Sequence, residues 1–260
     1  MTKVGEGRRA DAGVTNAGHS PSVPGAERTP LVAAFLVAVA TPIVIVGAAL
    51  ALLLTPAWIG FEQERSGVPA LTGFPPDQVR RVTGSIVSDL VAGPPSFAVA
   101  VGGQPVLDAS ERSHMADVRG VLVAFGAGVA IALAALLVLV VPNRHRPWAW
   151  RSVSRGAAAL ALAVVGLGAW VVVSFDTAFL AFHLVAFPEG NFSFDPRTER
   201  LVQLFPEQFW SDSAIAMGVL LLTASIATAA IAERVARRRP RPDRVDPSFL
   251  PVADPIANQR

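Results

Sequence analysis

Four long stretches without a single charged residue dictate what this chain can become: residues 31–54, 120–141, 156–174 and 213–232. A hydrocarbon core of about 30 Å is crossed by about 20 helical residues, each rising about 1.5 Å. All four stretches are long enough, and a helix satisfies its own backbone N–H and C=O groups where no water can. A globular core would spread its apolar residues at helical or strand period, and a closed barrel would need many weakly alternating segments of about ten residues. With 52% of residues hydrophobic and 16% charged, the chain is also too apolar for a soluble domain of its length. The expected fold class is all-α membrane: a four transmembrane helix bundle with an extracytoplasmic cap formed by the first and second outer loops.

The expected organisation is a tail over residues 1–29, a membrane domain over 30–236 and a basic tail over 237–260. The tails are rich in Gly, Pro, Ser and charge and are expected to be disordered, because they have too little apolar surface to bury. The first stretch is too long, and preceded by too many polar residues, for a cleaved signal peptide. Pro42 inside it predicts a kink.

Lys and Arg set the orientation. The two tails and the loop between the second and third stretches hold fifteen of the twenty-two, and the positive side of a membrane protein is normally cytoplasmic. Both termini are thus expected in the cytoplasm, the chain crossing an inner membrane, with outer loops at residues 55–119 and 175–212. This bias accounts for the basic excess without a nucleic acid partner. Cysteine is absent, which excludes disulfides, thiolate metal sites and a thiol nucleophile. The four stretches hold no charge to line an ion path and no internal repeat is visible, so transport is disfavoured.

Within the first outer loop, Val79, Val82, Ile86 and Leu90 form one apolar stripe of a helix, ended by Gly93-Pro94-Pro95. Residues 97–101 read as a short extended run, Gly102-Gly103 as a turn, and a second helix is expected to start near Ser110 and run into the second span. The third helix is expected to extend to about residue 185. Aromatics gather around the second outer loop, as they do at headgroup level, and point to a site at the outer leaflet.

Two of the four histidines, His114 and His183, fall just outside the second and third spans, at one depth and among acids. At helical spacing Ser110, Glu111 and Asp117 can approach His114, while Asp176 shares a helix face with His183. An interfacial imidazole is often no more than a solvated group, and these acids also fit a solvated rim.

The run 110–118, Ser-Glu-Arg-Ser-His-Met-Ala-Asp-Val, precedes one span. Phe182-His183, then Asp195-Pro196, then the run 204–210, Leu-Phe-Pro-Glu-Gln-Phe-Trp, precede another. In order and spacing these motifs resemble the lipoprotein intramolecular transacylase family, over roughly residues 31–235. The resemblance implies a four-helix membrane enzyme acting on bacterial lipoproteins whose terminal cysteine carries a diacylglyceryl group. One acyl chain moves from the glycerol sn-2 oxygen to that cysteine's α-amine, and the family's two essential histidines correspond to His114 and His183. It implies no cofactor and no metal. We expect one imidazole to act as general base and the other as acid or oxyanion stabiliser, with Glu111 or Asp117 orienting a ring. Arg112, Phe182, Phe187 and Trp210 are expected to touch substrate or lipid, and Arg119 or Arg200 are further candidates to hold a carbonyl or phosphate. The competing readings are a non-catalytic scaffold or lipid-binding protein, and a metal-dependent hydrolase with the histidines as ligands.

Overall fold

The structure, a computed structural model, describes residues 30–188 and 190–238. The expectations for residues 1–29, and for the basic tail beyond residue 238, lie outside the described residues.

Four long helices dominate: α1 (Leu31–Leu53), α5 (Ala109–Val140), α6 (Pro147–Val173) and α9 (Glu207–Arg237). Their apolar windows have mean hydropathies between 2.2 and 2.7, and each helix is long enough to cross a bilayer. The side chains facing outward include Ile131, Val138, Leu162 and Val172, each more than two-thirds exposed. Such a surface would aggregate in water, whereas lipid tails are as apolar as the side chains they touch.

Small residues decide the packing order. α1 lies against both α5 and α6, and α6 lies along α9, whereas α5 and α6 barely touch although they are consecutive in sequence. Gly156 of α6 presses on the backbone of Ala38, whose Cα lies 3.1 Å from where a Cβ would stand. Gly47 of α1 meets Val129 of α5 in the same way, at 2.7 Å from its side chain. With no hydrophobic effect acting between helices in lipid, close backbone approach at small residues is what gives dispersion its reach.

Because four helices cross, the segments after α1 and after α6 emerge at one end of the bundle. There the chain forms α2 (Pro56–Arg65), α3 (Val68–Thr72), α4 (Pro76–Val91), a two-stranded hairpin of β1 (Ala100–Val101) and β2 (Gln104–Pro105), α7 (Phe175–Ala186) and α8 (Arg200–Leu204). Pro at the first turns of α2 and α4 supplies a preset φ where its missing N–H costs nothing. Gly102 and Gly103, at φ 57° and 78°, make the hairpin turn that only glycine adopts freely.

The stripe of α4 is buried in one apolar core with Val68, Phe97, Leu107, Met115 of α5, and Leu201 and Leu204 of α8. The two inter-span segments are therefore built around a shared core. Polar struts reinforce it: Gln63 Nε2 donates to Thr83 Oγ1 and to the Leu204 carbonyl, both at 2.9 Å. Arg65 pairs with Glu62 and with Asp212 at the start of α9, and Trp58 Nε1 donates to Ser213 Oγ at 3.2 Å.

One expectation is corrected. The third helix does not run unbroken to residue 185: it stops at Ser174, whose φ of −142° and ψ of 55° are non-helical, and α7 starts afresh at Phe175. Along α7, Leu180, Phe182 and Val185 are exposed whereas His183 is buried.

Candidate active site

α5 is longer than the membrane requires. Its 32 residues rise about 48 Å, so the charged first turns, carrying Glu111, His114 and Asp117, stand clear of a hydrocarbon core of about 30 Å. Asp108 fixes where those turns begin. Its side chain accepts from Glu111 N at 2.8 Å while Glu111 Oε2 accepts from Asp108 N at 2.7 Å, a reciprocal capping box.

His114, one turn on, and His183, in the last turn of α7, are both buried, at 6% and 9% exposure. Their ring centroids are 6.2 Å apart and their planes differ by 23°. That is too far for a direct hydrogen bond and near enough for both rings to reach one substrate group. Phe187 lies edge-on to His114 at 4.8 Å and 5.6 Å from His183; Phe194 completes the His114 side at 5.5 Å. Phe179 at 4.0 Å, Phe192 at 5.2 Å and Phe182 at 5.3 Å surround His183. Trp210 extends this wall through Phe179, Phe205 and Phe209. The cage keeps water away from the imidazoles, which strengthens any electrostatic interaction made there.

Hydrogen bonding fixes one tautomer. His183 Nδ1 lies 2.8 Å from the Phe179 carbonyl oxygen. A carbonyl only accepts, so Nδ1 carries the proton and the neutral ring presents its lone pair at Nε2. His114 differs: its Nδ1 is buried without a hydrogen-bond partner.

The other expected site residues divide. Asp117 lies near His114, and its Oδ2 accepts from Asn191 Nδ2 at 2.5 Å. Glu111, expected beside the imidazole, does not orient it. Its Oε1 instead accepts from Leu201 N at 2.6 Å, so both carboxylate oxygens are taken by backbone N–H groups, and the residue ties α8 to the start of α5. Glu111→Ala leaves two such groups without their acceptor at a site where the carboxylate was 2% exposed. We expect a loss of about 3 kcal/mol, read as a lower unfolding temperature in detergent. Ser110 is exposed at the capping turn, and Asp176 is exposed in the first turn of α7, where an acid suits the helix dipole. Arg112 is half-buried, and Phe182 and Trp210 are exposed towards the surroundings of the bundle. Arg119 and Arg200 are committed to structure. Arg119 donates to the Asp89 carbonyl; Arg200 donates to Thr72 O and Gln203 Oε1, each at 2.8 Å, and lies 5.2 Å over the Phe74 ring. Among the described residues no three of His, Asp and Glu converge as a metal-ligand set.

Sequence reasoning did not single out Asn191 or the Phe179 carbonyl. An amide does not titrate and a backbone group has no letter in the sequence; the weak signal was Gly190, whose φ of 79° turns the chain just before Asn191.

The family model for the lipoprotein intramolecular transacylase Lit matches residues 35–210. Among solved structures, the chain is similar to the membrane integral lipoprotein intramolecular transacylase Lit from Bacillus cereus, with 17% identity, a TM-score of 0.68, and coverage of 80% of this chain and 95% of that one. It is also similar to the same protein with a histidine replaced by arginine (17% identity, TM-score 0.63, covering 80% and 92%) and by alanine (18% identity, TM-score 0.61, covering 80% and 93%). At such identities the likeness shows the fold. No individually curated protein matches the chain. The match of the family model over most of the chain, on a four-helix membrane fold, places the protein in the lipoprotein intramolecular transacylase family.

Proposed function

We propose that this protein is a membrane-embedded acyltransferase that moves one acyl chain of a lipoprotein's diacylglyceryl group from the glycerol oxygen to the α-amine of the cysteine bearing it. The observation that carries the proposal is the pair of buried imidazoles, 6.2 Å apart in one aromatic cage, at the end of the bundle where both inter-span segments gather. The excess of Lys and Arg in the tails and in the loop between α5 and α6 supports placing that end at the outer leaflet of a bacterial inner membrane, with both termini cytoplasmic.

The chemistry needs two proton movements. The lipoprotein's ammonium first gives a proton to a base, and His183 Nε2, whose lone pair is left free by the Phe179 carbonyl, suits that role. The amine nitrogen then attacks the ester carbonyl carbon. As the C–O bond breaks, the glycerol oxygen takes up a proton and the new amide nitrogen gives up its second. His114 suits this second movement, its Nε2 taking that proton from the nitrogen and handing it to the leaving oxygen. One ester becomes one amide, one hydroxyl appears, and one proton is released to solvent. Amine and ester belong to the same molecule, so the protein mainly holds them together; effective molarities of about 10⁵ to 10⁸ M are available from such positioning. No acyl-enzyme is needed, in keeping with the absence of cysteine. Exposed Phe182, and the apolar face of α7 beside it, lie where acyl chains would rest.

Intramolecular transfer leaves the substrate mass unchanged, so the test must locate the acyl chain. Expressed in a bacterial host lacking N-terminal lipoprotein acylation, the protein is expected to yield lipoprotein N-terminal peptides with an amide-linked acyl chain and a monoacyl glyceryl group, read by fragmentation in the mass spectrometer. Peptides bearing only the diacylglyceryl group and a free amine would contradict the proposal.

A further inference from the structure

Two buried polar atoms at this site lack partners, and they are complementary. His114 Nδ1 has none within hydrogen-bond geometry, and neither has Asn191 Oδ1, although the Asn191 side chain is close enough to the His114 imidazole to favour its charged form as a hydrogen-bond acceptor. The orientation of the amide is set from its far end. Asn191 Nδ2 lies 2.5 Å from Asp117 Oδ2, and a carboxylate oxygen accepts only, so the nitrogen must face Asp117 and the carbonyl oxygen must face away from it. Gly190, in the left-handed region and bonded through its N–H to the Phe187 carbonyl at 3.1 Å, makes the turn that delivers Asn191 to this spot. An unpaired buried donor or acceptor costs roughly as much as a hydrogen bond is worth, so the orphaned ring nitrogen and the orphaned amide oxygen of these two neighbouring side chains gain by pairing.

We propose that Asn191 is a positioning residue for His114: anchored by Asp117, its side-chain oxygen accepts the Nδ1–H of His114 in the working site and holds that imidazole with its Nε2 lone pair towards the substrate. Both imidazoles then share one arrangement, with Nδ1 tied to a carbonyl oxygen, from Phe179 for His183 and from the Asn191 side chain for His114, and with both Nε2 atoms free. The charged or titratable groups facing His114 are His183 from α7 and Asp117 from its own helix. Asn191 touches neither ammonium nor ester; it acts through the ring. Its catalytic consequence rests on the proposed transacylation, but the tautomer it imposes does not.

The test is ¹⁵N NMR of histidine-labelled, substrate-free full-length protein, with the His114 signals assigned by their loss in His114→Gln. The wild type is expected to show neutral His114 as Nδ1–H. Asn191→Ala is expected to move the proton to Nε2 or to a mixture, and to slow acyl transfer to a synthetic diacylglyceryl lipopeptide by about tenfold, the equivalent of one hydrogen bond. Asn191→Asp keeps an acceptor oxygen towards the ring but replaces the bond to Asp117 with repulsion between carboxylates; it is expected to keep the Nδ1–H signature. A His114 tautomer unchanged in Asn191→Ala, or lost in Asn191→Asp, would overturn the proposal, and the second arm reads even if the alanine variant fails to fold. Absence of transfer by the wild type would contradict the proposed function while leaving the tautomer result standing.

Discussion

Replacing either His114 or His183 by alanine is expected to lower acyl transfer by about 10² to 10⁴-fold, the usual contribution of a positioned general acid or base. The double variant is expected to fall little further than the worse single one, because groups acting in one proton relay are not additive. Each ring also packs in the cage, His114 against Phe187 and Phe194 and His183 against Phe179, so a stability control belongs beside the rate. Glutamine at either position keeps bulk and hydrogen bonding but cannot take up a proton near neutrality. It is expected to be folded and as slow as alanine. Rates measured on purified variants with a diacylglyceryl lipopeptide check this. Full activity in both alanine variants would contradict a catalytic role for the imidazoles, whereas no transfer even by the wild type would favour a scaffold or lipid-binding role.

The largest structural effect is expected at Gly156. A Cβ there would run into the Ala38 carbonyl oxygen, a backbone atom that no rotamer change can move aside. Gly156→Val must push α6 away from α1, undoing the contact on which the order of the bundle depends, at a cost of about 3 kcal/mol or more. Gly166 and Gly168 on the same helix have nothing within 4 Å of their missing Cβ, so alanine at either is expected to be tolerated. Thermal unfolding in detergent separates the two cases: a marked drop for Gly156→Val, none for Gly166→Ala and Gly168→Ala. Equal behaviour of all three would mean that α1 and α6 do not meet as described.

What the sequence could reveal was set by the range of the physics. A charge-free run of about 20 residues is a local property, so the four spans were readable without any knowledge of partners. The α4 stripe and the glycine pair at residues 102–103 are equally local, and the buried face and hairpin stand where their patterns put them. Facts that depend on distant neighbours were not readable. The break at Ser174 carries neither Pro nor Gly; apolar residues on both sides mask it. Glu111 sits at helical spacing from His114, yet its second oxygen is claimed by Leu201, 90 residues away, in a short helix that has no pattern of its own. The order of helices in the bundle turns on Gly47 and Gly156, whose partners a single sequence does not name. At the site, spacing placed two histidines at similar depth, but their mutual angle, the Phe179 carbonyl and the approach of Asn191 arise only when α5, α7 and the segment after α7 are folded together.

The central claim is that these imidazoles, by moving protons, promote direct transfer of an acyl chain from oxygen to nitrogen within one lipid-modified molecule. It is tested most directly by a crossover experiment on purified protein in lipid vesicles, with two diacylglyceryl peptides of different sequence, one carrying a deuterated acyl chain on the transferred ester. Transfer as described puts the label on the amine of its own peptide alone, leaves both intact masses unchanged, and disappears in His183→Ala. Label on the other peptide's amine, or peptides that keep a free amine in the presence of the wild-type protein, would contradict it.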